Sequence, residues 1–353
     1  MTLDAVHEAA EAHEIPILDA LMIAANAAGA DSILDYPRAR MQLQPNGSDE
    51  AWQVILPLEN PRSPFRLDET ELSLDGEPVA ALVGIDNDDV VLTYLRAGGR
   101  SLTLNSHSRS ACIGCMFCPN ILEEAADENV DGVGEMLRLL EWVEADNGWD
   151  DLSGVEVITV CTGCFHTPEA ARIHLSEVRQ AASQRGFTGL IHLLSSVVRE
   201  RRDLEWLAEE VGPFHLTLTF ECFTRRNLIL KDTKASLTLD DACRILDDCA
   251  ELGILGDFTY VTGLDPFEDT VSGLRTLARH ATTFPRIQVY QAHNAFMETA
   301  RSPGAATLDY FLGVRKAVEP DLAAQGLAPV SWQNYRPLWY STFNGEPVAG
   351  PRV

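Results

Sequence analysis

The sequence predicts an α/β fold: a partial (β/α)6 TIM-like barrel, preceded by an N-terminal α+β accessory region and followed by a C-terminal aromatic-rich extension. Three observations predict it. Short apolar strand patterns alternate with helical patterns six times between residues 101 and 318, which implies a parallel sheet with helices outside it. Residues before 101 follow a different rhythm, helices first and then short strands divided by turn signals. Residues after 320 gather Trp332, Tyr335, Trp339 and Tyr340.

In chain order, Leu3–Ala12 and Pro16–Ala28 carry apolar residues at helical spacing, and residues 1–48 read as helices. Strands are expected at Trp52–Leu58, Glu71–Leu74, Val79–Val83 and Val90–Leu95, with turns at Asp75-Gly76 and Gly98-Gly99. These make an accessory region over 1–100. The barrel, 101–320, takes strands at Ser101–Leu104, Val155–Val160, Leu190–Leu194, His215–Phe220, Phe258–Val261 and Ile287–Tyr290. Its helices are Gly134–Glu144, Pro168–Gln184, Asp203–Val211, Leu239–Leu252, Glu268–Ala281 and Leu308–Val318. Six units fit an open barrel, since eight would need more chain. The extension, 321–353, is placed to cover one barrel opening.

The chain has 353 residues, 46% of them hydrophobic, enough for a sizeable core. Its formal net charge is −26, with Lys231, Lys234 and Lys316 as the only lysines. Such a surface repels a phosphate backbone, so no nucleic-acid partner is expected. The Arg199, Arg201 and Arg202 cluster reads as a solvated helix start. The N-terminus carries acids where an export signal needs bases, and no segment approaches ~18 uninterrupted apolar residues. A cytoplasmic protein with no membrane span is expected.

Eight cysteines in such a chain argue against a disulfide framework. Three fall within seven residues, as Cys112-Ile-Gly-Cys115-Met-Phe-Cys118, in the loop after the first barrel strand. Thiolates two residues apart can wrap one metal centre, with Gly114 letting the backbone curl around it. Three metal readings compete. One is a 4Fe–4S cluster with one open iron. A second is an electron-carrying cluster, which needs a fourth thiolate where Leu122 stands. A third is zinc, with His107 as a further ligand. Against all three stands a set of buried structural cysteines.

With these features in order, residues 101–300 resemble the radical S-adenosylmethionine (radical SAM) superfamily, in particular its biotin-synthase-like branch. Phe117 immediately precedes the last cysteine of the motif, as the family prefers. Thr162-Gly163-Cys164 follows the second strand, where the family's backbone meets the SAM amino group. Ser195 and Ser196 follow the third strand, at a usual ribose contact. Glu221, then Arg225 and Arg226, follow the fourth, where the SAM amino-acid part is held. Val261-Thr-Gly263-Leu-Asp265 follows the fifth, beside adenine, and His293 and Asn294 end the sixth. The first gap of the cysteine motif is one residue shorter than the family's C-x3-C-x2-C, and no acid follows Gly163.

The resemblance implies an enzyme with one 4Fe–4S cluster on Cys112, Cys115 and Cys118 and with SAM as cofactor. Reductive cleavage of SAM then gives a 5′-deoxyadenosyl radical that removes hydrogen from a small-molecule substrate. Electrons come from a donor such as flavodoxin or ferredoxin. Phe117, Thr162, Gly163, Ser195, Ser196, Glu221, Arg225, Gly263 and Asn294 are the expected cofactor contacts. Cys161, Cys164 and Cys222 are the thiols expected at the same barrel face, for hydrogen donation or redox pairing. Bland readings accompany several of these. Ser195 and Ser196 suit a helix cap, Glu221 a buried paired carboxylate, and the three thiols inert packing. Thr167 before Pro168 suits an N-cap. The alternative function is a non-catalytic metal-binding barrel, carrying zinc or an iron–sulfur cluster.

Overall fold

The computed structural model describes residues 1–88, 92–107, 114–119, 130–161 and 165–352. Helix α1 (Leu3–His13) starts where the Thr2 hydroxyl accepts the Ala5 N–H, and turns at Glu14 in the left-handed region. Helix α2 (Ile17–Ala28) is buried over most of its length. It stops at Gly29 (φ +64°), where a Cβ would lie 2.8 Å from the Pro57 carbonyl oxygen.

A six-stranded sheet follows, built from β1 (Asp31–Ser32), β2 (Arg38–Pro45), β3 (Trp52–Pro57), β4 (Phe65–Leu67), β5 (Glu71–Leu74) and β6 (Glu77–Asn87) in the order β1-β4-β5-β6-β2-β3. Strand β2 lies inside the stretch read as helices. It buries Ala39, Met41 and Leu43 on one face while Arg38, Arg40 and Gln42 face the other. That is the period of a strand, written largely in residues that favour helices.

The second sheet has seven strands: β7 (Thr93–Arg96), β8 (Ser101–Leu104), β9 (Val157–Val160), β10 (Leu190–Ser195), β11 (Phe214–Glu221), β12 (Leu255–Thr262) and β13 (Arg286–Val289). β8 to β13 pair in parallel and in chain order, while β7 runs antiparallel along the β8 edge. The helices between them are α3 (Gly132–Asn147), α4 (Pro168–Gln184), α5 (Arg201–Glu210), the short α6 (Arg226–Ile229) and α7 (Asp232–Ala235), α8 (Leu239–Glu251) and α9 (Phe267–Ala278). After β13 come α10 (Ala295–Glu298) and α11 (Leu308–Ala324). This is a mixed α/β fold compatible with a partial TIM-like barrel. Helix α4 has the bounds its sequence announces, because Thr167 caps it and Pro168 opens it.

The two faces of this sheet differ in chemistry. Leu102, Leu104, Ile158, Val160, Ile191 and Leu193 are wholly buried among the apolar core residues. The alternate residues, among them Thr103, Thr159, His192, His215, Thr219 and Thr259, line a cavity of about 420 Å³. A packed barrel interior is mainly branched aliphatic; this inner face carries threonines and histidines among its apolar residues.

The tail lies along the free edge of β13. The Val289 N–H donates to the Arg336 carbonyl at 2.8 Å, and the Asn334 side chain donates to the Ile287 carbonyl at 2.9 Å. Trp339 and Tyr340 are buried beyond it, ahead of the small ribbon β14 (Thr342–Phe343) and β15 (Glu346–Pro347). Arg315 on α11 anchors this end. It bonds Asp19 of α2 and donates to the Leu338 and Thr342 carbonyls at 2.8 Å each. Asp19 also accepts the Ser341 N–H at 2.6 Å. Both side chains are buried, so removing the cation strands a carboxylate away from water. Arg315→Met should lower unfolding stability by about 3–5 kcal/mol; urea unfolding unchanged within error would refute this anchor.

Candidate active site

The cavity runs along the parallel strands from their N-terminal ends, at Val157, Leu190 and Leu255, to their C-terminal ends, at Cys161, Ser195 and Glu221, where the cysteine turn reaches it. Gly114 adopts φ +107°, and a Cβ there would meet the Lys231 Cβ at 3.2 Å. Next, the Met116 N–H donates to the Ile229 carbonyl at 2.8 Å and the Cys118 N–H to the Cys115 carbonyl at 3.2 Å. These bonds hold Cys115, Phe117 and Cys118 at the cavity wall. Cys115 is buried in an apolar cluster with Cys222, Ile229, Val261 and Leu264, and Met116 and Phe117 pack against it. Cys112, Thr162, Gly163 and Cys164 lie outside the described residues. Among the described residues no group of three His, Cys, Asp or Glu side chains forms a ligand set. The two described thiols nonetheless fit an iron–sulfur centre: one short turn carries both, inside an apolar shell that limits water.

A second cluster sets the base of this loop. The Ser106 hydroxyl and His174 Nε2 are 2.7 Å apart, and His107 stacks on Phe165 with ring centroids 4.6 Å apart. Burial, and then His107, pushes the His174 pKa down to about 4.

Strand β11 ends in a strained position. Glu221 has φ +74°, next to a register shift against β12. Its carboxylate accepts the Lys234 ammonium at 2.8 Å, and both side chains line the cavity. The following turn hangs on Asp265, which is fully buried. Asp265 accepts the Phe223 N–H and the Thr224 N–H at 2.7 Å each, the Thr224 hydroxyl at 2.6 Å and the Tyr260 hydroxyl at 2.9 Å. Arg225, also at positive φ (+49°), donates to the Leu264 and Ala300 carbonyls and lines an outer groove rather than the cavity. At Gly263 (φ +117°) a Cβ would stand 3.0 Å from the Tyr290 Cβ.

The other expected contacts divide. Ser195 lines the cavity, its hydroxyl accepting the Val197 N–H at 3.2 Å. Ser196 is buried behind it with a hydroxyl that lacks a partner. Asn294 is exposed and caps α10 by accepting the Met297 N–H at 2.8 Å. Cys161 lines the cavity at the end of β9. Cys222 is fully buried against Cys115, and burial pushes its thiol pKa far up.

Deeper in the lumen lies a polar layer that no sequence motif announces. His192 Nε2 is 2.8 Å from the Thr217 hydroxyl, which also accepts an Arg286 N–H at 2.8 Å. On the other side of the ring, His192 Nδ1 lies 3.1 Å from the Thr159 hydroxyl. Burial and the nearby Arg286 hold His192 well below its ordinary pKa, so it is neutral. Asp257, wholly buried, takes Arg286 and the His215 Nε2 at 3.0 Å. Burial alone would raise the Asp257 pKa, but Arg286 and His215 outweigh it and lower it. The only sequence sign of this layer is the run of polar residues at alternate positions of otherwise apolar strands.

The wall opposite the strands comes from other segments. Arg38 and Arg40 of β2 bind Asp88 at 2.7 and 2.8 Å. Tyr335 and Arg336 come from the tail, and Tyr94 and Arg96 from β7.

No protein-family model matches the chain, and no curated protein matches its sequence. Among solved structures it is similar to a radical SAM methyltransferase from Sphaerobacter thermophilus, at 14% identity and a TM-score of 0.45, over 98% of this chain and 97% of that one. It is also similar to SuiB of Streptococcus suis bound to S-adenosylmethionine (13% identity, TM-score 0.39, 54% of this chain). A third likeness is to TsrM of Kitasatospora setae with cobalamin and a [4Fe-4S] cluster (13% identity, TM-score 0.39, 54% of this chain). The chain spans 40% of the SuiB length and 36% of the TsrM length. At these TM-scores the chain's own residues carry the functional reading. Among the described residues no helix is long and apolar enough to cross a membrane.

The buried His174 sets a pH dependence. As pH falls below the ordinary histidine value the unfolded chain takes up a proton, while folded His174 stays neutral until about pH 4. Stability from this group is therefore lost on acidification between those limits. In His174→Gln the loss between pH 6 and 4.5 should be shallower by up to about 1.4 kcal/mol per pH unit. Urea unfolding of both proteins across that range checks this, and parallel slopes would contradict it.

Proposed function

We propose that this chain is a radical SAM enzyme, a (β/α)6 partial barrel that acts on a small-molecule substrate in its lumen. The observation that carries this is the turn holding Cys115 and Cys118 in the wall of a cavity of about 420 Å³, beside the C-terminal ends of parallel strands. The chemistry that a 4Fe–4S cluster with SAM supplies is one-electron cleavage of the sulfonium to a 5′-deoxyadenosyl radical.

Cys112, Cys115 and Cys118 would hold the cluster, with Met116 and Phe117 excluding water from it. Glu221, fixed by Lys234, presents a carboxylate oxygen to an ammonium group such as that of SAM, and Ser195 a hydroxyl to a ribose. Thr162 and Gly163 would offer backbone groups after β9. Gly263 lets the β12 loop pass close to Tyr290, and Arg225 and Asn294 shape the turns beside it. Cys161 is the thiol with a face on the cavity, placed to return a hydrogen atom to a substrate radical. Cys222 is a packed neighbour of Cys115, and Cys164, which follows β9 in sequence, would be the third thiol of that end. A flavodoxin or ferredoxin would supply the electron, in the cytoplasm, with no nucleic acid involved.

Anaerobic reconstitution tests this. Cys115→Ser or Cys118→Ser should lose most of the bound iron and lower 5′-deoxyadenosine formation about tenfold or more. Glu221→Gln should keep iron and weaken SAM binding about tenfold, the loss of one charge-assisted hydrogen bond. Full iron and full cleavage in Cys115→Ser would end the proposal; unchanged SAM affinity in Glu221→Gln would leave that residue only its Lys234 partner.

A further inference from the structure

The surface and the lumen carry opposite charge. The chain as a whole stands at −26, yet among the described residues five arginines and one lysine line the cavity beside two carboxylates, Asp88 and Glu221. Most of these cations are matched. Asp88 serves Arg38 and Arg40, Glu221 serves Lys234, and Asp257 just behind the wall serves Arg286.

Two are not. Among the described residues, neither Arg96 nor Arg336 has a carboxylate within ion-pair distance. The Arg96 guanidinium stacks 3.8 Å over the Tyr335 ring, and its Nε is buried without a hydrogen-bond partner. Arg336 donates to the neutral Gln288 Oε1 at 2.6 Å. Burial, and then Arg38, depresses the Arg336 pKa against the opposing pull of Cys118, Asp88 and Glu221.

The strand side of the cavity is incomplete in the complementary way. Thr219 and Thr259, 9% and 5% exposed, present hydroxyl groups that have no partner. The buried Arg96 Nε and the two hydroxyl groups lack partners, which is costly, and one ligand bearing oxyanions would satisfy them together.

We propose that the lumen binds a small organic anion, with Arg96 and Arg336 gripping its carboxylate or phosphate groups and Thr219 and Thr259 facing it across the cavity. This rests on the reading of the lumen as the substrate site and names the substrate class. Tyr335, whose ring stacks with Arg96 and which precedes Arg336 in the chain, links the two segments at the cavity wall.

The experiment is calorimetric titration of the reconstituted protein, with saturating SAM, against three probe series. These are the four- to six-carbon dicarboxylates succinate, glutarate and adipate, their diamides, and glycerol phosphate. One of the anion series should bind, saturably and more weakly at high salt, while the diamides do not. Which series binds decides between carboxylate and phosphate. Arg96→Gln and Arg336→Gln should each weaken that binding about tenfold or more, with Arg→Lys at either position recovering part of it. Iron content and far-ultraviolet circular dichroism serve as integrity controls.

Binding of diamides as tight as of diacids, or no binding by any anion, would overturn the proposal. So would competition between anion and SAM with equal losses of both in the variants, because the guanidinium groups would then belong to the SAM site. Anion binding that obeys these rules in a protein that never forms 5′-deoxyadenosine would retain this inference and sink the radical reading alone.

Discussion

The six parallel strands form an open sheet that ends at β8 and β13, and that shortfall governs the molecule. A closed barrel satisfies every strand edge; an open one leaves two rows of backbone donors and acceptors and a slot between them. Here β7 pairs with the β8 edge and the tail bonds the β13 edge at Ile287 and Val289. Arg38 and Arg40 of the N-terminal sheet line the slot between. Residues of the N-terminal sheet, of β7 and of the tail therefore line the cavity beside the parallel strands, and the buried Asp19–Arg315 pair ties α2 to α11.

Three fully buried aspartates mark the joints of this assembly: Asp19, Asp257 and Asp265. Each sits where elements distant in sequence must agree. Asp19 joins the first helices to α11 and the tail, Asp257 joins three neighbouring strands, and Asp265 fixes the turn after β11 against the one after β12. A buried carboxylate with a full set of donors contributes little net stability, but an incorrect arrangement that leaves it unmet is strongly disfavoured. The arrangement of loops around Glu221 and Cys222 follows from the four donors on Asp265 rather than from the ladder of the strands.

Much of this was legible in the sequence. The parallel strands were readable because β-branched and aliphatic runs end in turn residues, Pro168–Gln184 was readable from its cap Thr167, and the helix expected over Leu239–Leu252 ends one residue earlier, at Glu251. Strand β2 was not, because Arg38, Ala39, Arg40, Met41 and Gln42 are helix-favouring types that follow two genuine helices. The cysteine turn was legible as a motif, since the chemistry needs its ligands close together in the chain. The cationic wall was not. Arg40, Arg96 and Arg336 lie on three segments far apart in the chain, and nothing local distinguishes them from surface arginines. The Glu221–Lys234 pair was half legible: the carboxylate stood at a recognisable strand end, and its partner depended on a short helix that carried no signal of its own.

The division of the wall between strands and borrowed segments has an evolutionary consequence. The strand side and the cysteine turn are constrained by hydrogen-bond ladders and by neighbours on both faces, so most changes there disturb the whole sheet. The borrowed side, carried by β2, β7 and the tail around Tyr335, meets the lumen through side chains whose replacement leaves the ladders intact. A lineage can therefore exchange the molecule it accepts by rewriting a few positions at its two ends, while the parallel strands and the turn at their mouth are inherited unaltered.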